Sequence, residues 1–203
     1  MTSVLTGDIV KSRHHVNPEL WMNSLKLALS HLTNDKKCWE IYRGDSFQIE
    51  IKDISQSFIA AIYIKACLKT IKNLDVRLAI GIGNKIYQGE NITESNGEAF
   101  IYSGETFESL KKVKQNLRIK TNNHMINEEL NLYFKLALIS MDNWTANSAE
   151  IVKLSIEYPD KLQSELGQLI NINQNAVSGR QKRANLDGIL ELDLMYRHKL
   201  SQL

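Results

Sequence analysis

The chain has few cysteines and no long apolar run. Only two of its 203 residues are cysteines, Cys38 and Cys67, and both lie in apolar surroundings. Two cysteines are too few for a zinc cluster or a disulfide framework, so we expect reduced, buried thiols and a cytoplasmic location. No apolar run approaches the ~20 residues of a membrane-spanning helix, and the first residues lack the basic stretch and apolar core of a signal peptide. We therefore expect neither secretion nor a membrane partner.

The composition is that of an ordinary globular protein. Hydrophobic residues make up 43% of the chain and charged residues 24%, which is enough for a sizeable core without a metal or disulfide. The net charge of +2 is too small to indicate a polyanion partner for the whole chain, although a local basic cluster lies at Arg180–Arg183. His14 and His15 are neighbours that cannot easily share one ion, so we interpret them as loop residues and expect no zinc site.

Hydrophobic periodicity divides the chain into a mixed part and a helical part. It predicts strands at Ser3–Val10, Cys38–Arg43, Ser46–Ile51, Val76–Ile82 and Leu117–Lys120, and helices at Pro18–Leu32, Ser55–Ile71 and Glu98–Val113. The order β-α-β-β-α-β-α-β indicates an α+β sheet covered by helices. From Asn127 onward no strand pattern appears. We predict one domain at 1–123 and a small all-α domain at 124–203, although the helix at Asn127–Ser140 fits either part and would move the boundary to Trp144.

Two Gly-Asp pairs stand at chain reversals. Gly7-Asp8 follows the first strand-like run, and Gly44-Asp45 joins the two arms of a predicted hairpin. Glycine permits a close backbone approach or a positive φ, so the two carboxylates are able to converge. Mg²⁺ or Mn²⁺ suits such a site, because a hard cation needs one or two protein carboxylates and leaves its other positions to water and phosphate. The alternative is that Asp8 only caps a turn and Asp45 only occupies a tight hairpin.

The same residues belong to a wider motif pattern, formed by Leu5–Ser12, Arg43–Asp45, Val76–Gly83 and Gly97–Phe100. Over roughly residues 1–120 this pattern resembles the palm domain of class III nucleotidyl cyclases and GGDEF proteins, which has a ferredoxin-like fold. The resemblance implies metal binding by Asp8 and Asp45 with the backbone at Ile9. It also implies a nucleotide beside Gly7, Val10, Arg43 and Gly44.

The pattern departs from the cyclase motif at positions that carry activity. The lysine that precedes the hairpin Gly-Asp and reads the base is missing from Ile41–Arg43. Ile101 and Glu105 stand where the resemblance calls for an asparagine and an arginine. Loss of such an arginine costs several orders of magnitude in phosphoryl transfer, so a degenerate sensor domain is favoured over an active cyclase.

A helix-turn-helix spacing runs from Asp160 to Arg180. Counted back from Val177, Gly167 falls where two helices cross, Asn171 falls at a turn position that needs a left-handed conformation, and Ile172 plugs the core. The second helix would then present side chains able to bond base edges or phosphates, namely Gln174, Asn175, Ser178, Gln181 and Lys182, with Arg180 and Arg183 adding phosphate attraction. The alternative is a helical hairpin used only for packing.

Further motifs extend across nearly the whole chain, at Thr6–Ile9, Arg43–Phe47, Trp144-Thr145 and Asn175–Arg180. They resemble the SatD family of small bacterial proteins, which implies a regulator-like architecture. The leading hypothesis is a double-stranded-DNA-binding transcriptional regulator with a nucleotide- or metal-sensing domain. The alternatives are a metal-dependent nucleotidyl cyclase or nucleotidyltransferase that uses Asp8 and Asp45, and an interaction protein. Because helix-turn-helix proteins usually bind DNA as dimers, we also expect a homodimer. The final helix, Asn185–Leu203, either packs on its own module or forms the dimer seam.

Overall fold

A computed structural model describes residues 1–12 and 17–203, so the loop interpretation of His14 and His15 lies outside the described residues. The described chain is α+β, with a mixed five-stranded sheet and eight α-helices. The strands are β1 (Thr2–Val10), β2 (Trp39–Tyr42), β3 (Ser46–Ile51), β4 (Asp75–Gly83), β5 (Lys85–Tyr87), β6 (Asn96–Gly97) and β7 (Leu117–Lys120). The helices are α1 (Pro18–Leu32), α2 (Ser57–Lys69), α3 (Glu98–Val113), α4 (His124–Met141), α5 (Ala146–Glu157), α6 (Gln163–Leu169), α7 (Gln174–Ala184) and α8 (Leu186–Leu200).

The main sheet places β1 at its centre. The strand order is β2-β3-β1-β4-β7, with β1 antiparallel to both β3 and β4 and with β7 parallel to β4. The register puts Asp8 opposite Ser46 on one side and opposite Arg77 on the other. The polar end of β1 therefore lies between the β2–β3 hairpin and the start of β4. A separate two-stranded sheet joins β5 and β6.

Helices cover both faces of the sheet. On one face, Leu5 and Ile9 of β1 join the main core with residues of α1 and α2. On the other face, the Thr6 hydroxyl donates a hydrogen bond to Ser103 Oγ of α3 at 3.0 Å. Because successive side chains of a strand point to opposite faces, Asp8 lies on the same face as Thr6 and therefore beside α3.

The outer edge of β7 is closed by two asparagines of α4. The Asn131 amide accepts from the Ile119 backbone N–H and donates to the Ile119 carbonyl, both at 2.9 Å. One helical turn earlier, Asn127 bonds the N–H and carbonyl of Thr121 in the same way, at 2.7 and 2.9 Å. Side chains thus satisfy backbone groups that an open edge would expose to pairing with another strand.

The main core runs from the sheet into the C-terminal helices. The Phe58 ring of α2 stacks on Phe134 of α4 at 4.6 Å between centroids, and the buried Tyr196 ring of α8 lies 5.6 Å from Phe58. The Trp144 indole donates to the Ala184 carbonyl at 2.9 Å, which ties the end of α7 to the α4–α5 junction. The predicted boundary at 123/124 falls between β7 and α4, and the division into two units stays a prediction.

Four predicted element bounds are confirmed without change, those of α1, β3, α3 and β7. Helix α5 lies within the part predicted to be all-helical but had no predicted bounds, and the short strands β5 and β6 were not predicted. Across the described ranges, no helix combines the length and the apolar character needed to cross a membrane.

Candidate functional site

The first candidate site is a pocket of about 750 Å³ at the polar end of β1. Asp8 and Asp45 both line it, so the two Gly-Asp pairs do bring their carboxylates to one place. The hairpin turns through Arg43 and Gly44, whose φ angles are 52° and 89°. Such angles favour glycine, which explains Gly44 at this position. The Ile9 N–H donates to the Asp45 carbonyl at 3.1 Å and fastens the hairpin to β1.

Each carboxylate already has a donor from the protein. Arg77 Nε donates to Asp8 Oδ1 at 2.8 Å, and Arg77 Nη2 binds Asp8 Oδ2, so the pair is bidentate. Ser12 Oγ donates to Asp45 Oδ2 at 2.5 Å. The Arg77 guanidinium offsets the charge of Asp8, which is 9% exposed, and a bidentate pair of this kind fixes the orientation of the carboxylate.

The pocket carries more positive than negative groups. Four cationic side chains line it, from Lys11, Arg43, Arg77 and Lys111, against three carboxylates, from Asp8, Asp45 and Glu108. The formal balance is therefore +1, and Phe107 supplies an apolar wall. Burial raises the pKa of the neighbouring Tyr42 hydroxyl. The negative charge of Asp8 raises this pKa further, whereas the positive charge of Arg43 lowers it. Four cations and three carboxylates beside a neutral tyrosine suit an anion that arrives with a divalent cation.

The donor set fits a hard cation only in part. Two carboxylates meet the minimum that Mg²⁺ requires when phosphate supplies other ligands. Both oxygens of Asp8, however, already accept from Arg77, so a cation at Asp8 would either share these oxygens with the guanidinium or displace it. Within residues 1–12 and 17–203 no cluster of three or more histidine, cysteine or acidic side chains is placed to hold a metal.

Several residues implied by the palm resemblance lie outside this pocket. Ile9 and Arg43 line it, whereas Gly7, Val10 and Gly44 do not. Gly7 instead allows tight packing, because a Cβ there would lie 2.6 Å from the Phe47 ring.

The pocket also contains residues that the sequence analysis did not select. These are Lys11, Ser12, Ser46, Arg77, Phe107, Glu108 and Lys111. The one signal for Arg77 was its position as a charged residue inside an otherwise apolar strand. Ile101 is 51% exposed, and Glu105 pairs with Lys120 at 2.5 Å, so neither faces the pocket.

The second candidate region is formed by α6, its turn and α7. A Cβ on Gly167 would lie 2.5 Å from the Ile172 carbonyl and 3.3 Å from Val177, so only glycine permits this crossing of the two helices. Asn171 has φ 55°, and Ile172 packs against a small core of Ile151, Leu166 and Val177. The left-handed turn at Asn171 and the inward position of Ile172 are confirmed.

The outer side of α7 is polar and partly basic. Asn173 caps the helix by accepting from the Ala176 N–H at 2.9 Å. Beyond the cap, the exposed residues predicted to contact DNA are Gln174, Asn175, Lys182 and Arg183, and Ser178 is half-buried among them. These side chains are available to a ligand that approaches along α7.

Two of the predicted DNA contacts face inward instead. Arg180 Nη1 donates to Glu150 Oε2 of α5 at 2.6 Å. The Gln181 amide donates to Ser155 Oγ at 3.2 Å and accepts from Gln163 Nε2 at 2.8 Å. Both side chains therefore fasten α7 to α5 and α6, because the rotation of α7 on its neighbours turns them away from the outer face.

Comparisons with known proteins give no relative for this chain. No protein-family model, no curated protein and no solved structure matches it. The resemblances to the palm domain and to the SatD family therefore stay predictions.

Proposed function

We propose that the protein is a DNA-binding regulator in which α6, the turn at Asn171 and α7 form a helix-turn-helix. The observation that carries this proposal is the polar outer face of α7, where Asn175, Ser178 and Lys182 follow one another at helical spacing above a tightly packed turn. Amide and hydroxyl side chains bond base edges, and lysine neutralises phosphate. Because Arg180 is held by Glu150, the direct phosphate contacts come from Lys182 and Arg183.

We also propose that residues 1–123 act as a palm-like sensor domain. Support comes from the sheet, in which β2, β3, β1 and β4 lie in the order and the antiparallel arrangement of a ferredoxin-like fold. The pocket at Asp8 and Asp45 is the place where a palm domain would take a nucleotide. Its cationic balance suits the phosphates, and Mg²⁺ or Mn²⁺ would be held by Asp45 with Asp8, either beside Arg77 or in its place.

The ion pair between Asp8 and Arg77 favours sensing over catalysis. A catalytic metal site keeps its carboxylates available, whereas Asp8 is bound at both oxygens. Binding of a charged ligand would replace the contacts between Asp8 and Arg77 with contacts to the ligand. The free and bound states would then differ in structure, as a sensor requires. The pocket therefore suits a domain that responds to nucleotide more than one that turns it over.

DNA binding is tested by fluorescence anisotropy with a labelled duplex of mixed sequence at low salt. We expect wild-type protein to bind, and Lys182→Ala to weaken binding about tenfold through loss of a charged phosphate contact. Lys26→Ala is the matched control, because Lys26 is exposed on α1, remote from α7 in sequence. Failure of the wild type to bind any duplex at low salt would overturn the proposal, as would equal losses in both variants.

Nucleotide binding is tested by thermal-shift titration with Mg²⁺ or Mn²⁺ and each nucleoside triphosphate. A ligand that binds only the folded state raises the melting temperature, by an amount equivalent to about 2.7 kcal/mol at a hundredfold excess over its dissociation constant. We expect Asp45→Ala to abolish the rise and the exposed control Asp187→Ala to keep it. A rise of equal size in wild type and Asp45→Ala would place the ligand elsewhere.

The second candidate function is a metal-dependent nucleotidyl cyclase or nucleotidyltransferase. It is favoured by one observation, that Asp8 and Asp45 line the same pocket. Product formed from a nucleoside triphosphate with Mg²⁺, and lost in Asp45→Ala, would support it. Product that survives this substitution would reject the pocket as its source.

A further inference from the structure

Helix α4 is apolar on two opposite sides. Its inner side is buried in the core through Ile126, Leu130, Phe134, Leu138 and Met141. Its outer side carries a second apolar stripe of Met125, Leu132, Leu136 and Ile139, which are 71%, 54%, 57% and 68% exposed. An apolar stripe on a helix normally faces another apolar surface, whereas a solvent-facing side is normally polar. The outer stripe of α4 therefore has no covering surface among residues 1–12 and 17–203.

We propose that the outer stripe of α4 packs against the same stripe of a second copy, antiparallel and about a two-fold axis at Leu132. Met125, Leu132 and Ile139 are spaced seven residues apart. Because seven residues make nearly two helical turns, these three side chains lie on one side of α4. With Leu132 on the axis, Met125 faces the partner's Ile139 and Ile139 faces the partner's Met125. The stripe thus matches itself, as an interface between identical copies must.

Two charges beside the stripe favour the antiparallel direction. Glu128 and Lys135 lie on the same flank of α4, seven residues apart, and the proposed axis brings Glu128 next to the partner's Lys135 twice per dimer. A parallel pair would instead bring Glu128 towards the partner's Glu129, and like charges repel. Opposite charges at matching heights are the pattern that sets orientation in paired helices.

Neither charge has a strong partner in the part of the chain that the structure describes. Glu128 is 70% exposed, and its ion pair with the exposed His124 spans 3.6 Å. Lys135 is exposed and makes no hydrogen bond or ion pair with any residue of the described ranges. By contrast, Glu129 on the opposite flank is bound by Lys199 of α8. The weakly paired Glu128 and the exposed Lys135 thus lie on the flank where the second copy would supply their counterparts.

The apolar surface continues from α4 into a groove beside α8. The groove has a volume of about 490 Å³, and Leu136, Ala137, Leu192 and Met195 are among its lining residues. Met195 is 44% exposed in this groove. A side chain of the second copy that enters the groove would therefore cover both Met195 and Leu136. The principal seam is therefore α4, whereas the final helix α8 contributes its edge. This dimer does not depend on the DNA-binding proposal, because its argument uses only residues of α4 and α8.

The first test is the mass of the full chain by sedimentation velocity across a concentration series. We expect a dimer for the wild type and a monomer for Leu132→Glu, because the two introduced carboxylates would meet on the axis. Leu27→Glu is the matched control, since Leu27 is 72% exposed on α1 and should leave the dimer intact. A wild type that is monomeric at about 100 µM overturns the proposal, and so does a dimer that survives Leu132→Glu.

A charge exchange tests the direction of the helices. Glu128→Lys and Lys135→Glu should each weaken the dimer about three- to thirtyfold, because each places like charges together twice across the seam. The double variant, Glu128→Lys with Lys135→Glu, restores opposite charges and should recover the wild-type dissociation constant. Equal weakening in the double variant would exclude the antiparallel register. Circular dichroism confirms that each variant stays folded, so a failure to fold cannot be mistaken for a loss of pairing.

Discussion

Replacing Lys65 with methionine should lower the stability of the whole chain. Lys65 of α2 is 2% exposed, and its Nζ lies 2.5 Å from Asp75 Oδ1 of β4 and 2.7 Å from Asp142 Oδ1 at the end of α4. Removing one partner of a buried ion pair costs about 3–5 kcal/mol. Lys69 still reaches Asp75 at 3.2 Å and Asn116 reaches Asp142 at 3.0 Å, so part of the carboxylate charge stays compensated. We therefore expect a loss of about 2–4 kcal/mol.

The assay is differential scanning calorimetry of Lys65→Met against wild type and Lys26→Met. For a chain of this length each kcal/mol lowers the melting temperature by about 2–4 °C, which predicts a fall of about 4–16 °C. Lys26 is exposed on α1, so Lys26→Met should change the melting temperature little. Because the ion network joins the sheet to the α4–α5 junction, a single transition should persist and move as a whole. A shift below about 2 °C, or separate melting of the helical part, would refute this reasoning.

Three further predictions follow from local contacts. Burial raises the pKa of the Cys67 thiol to about 12. We therefore expect Cys67 to resist a disulfide reagent at pH 8 until the protein unfolds. The free energy of unfolding should also fall as the pH rises from 9 towards 12, because in that range only the thiol of the unfolded chain ionises. Rapid modification of native Cys67 would contradict this. Asn131→Ala removes both bonds to the β7 edge and should cost about 1–3 kcal/mol in chemical unfolding, with the exposed Asn122→Ala as an unchanged control. Gly167→Ala should destabilise the protein by about 1–3 kcal/mol. A Cβ on Gly188 meets nothing within 4 Å, so Gly188→Ala should be neutral or stabilising by up to about 1 kcal/mol. Destabilisation of the same size by both variants would contradict the close crossing of α6 and α7 at Gly167.

Features that depend on local sequence were predicted well. Helix α1 begins at Pro18 and ends at Leu32 as expected, because proline in the first turn and apolar residues at helical spacing are both local signals. The left-handed Asn171 was predicted from its distance to Val177 alone. By contrast, β5 and β6 span three and two residues, which is too short for any periodicity to register.

Features that depend on register or helix rotation were not predictable. The pairing of Asp8 with Arg77 requires the alignment of β1 with β4, and residues 69 apart in the chain give no sign of that alignment. The inward turn of Arg180 depends on Glu150 of α5, a helix that the sequence analysis did not place. For the same reason, an arginine in a basic run was interpreted as a DNA contact when its neighbour in space is a carboxylate.

The most direct test of DNA binding by α7 is backbone hydrogen exchange of the wild-type protein, followed by mass spectrometry with and without duplex DNA at low salt. Stable contact between the outer face of α7 and DNA should slow exchange in the segment that contains the turn and α7, residues 170–183, because binding suppresses local opening. Helix α1 serves as the internal control and should be unchanged. Slower exchange confined to the turn and α7 is the predicted result. Unchanged exchange in that segment under conditions where DNA binds, or protection only elsewhere, would contradict the assignment of α7 as the DNA-contacting helix.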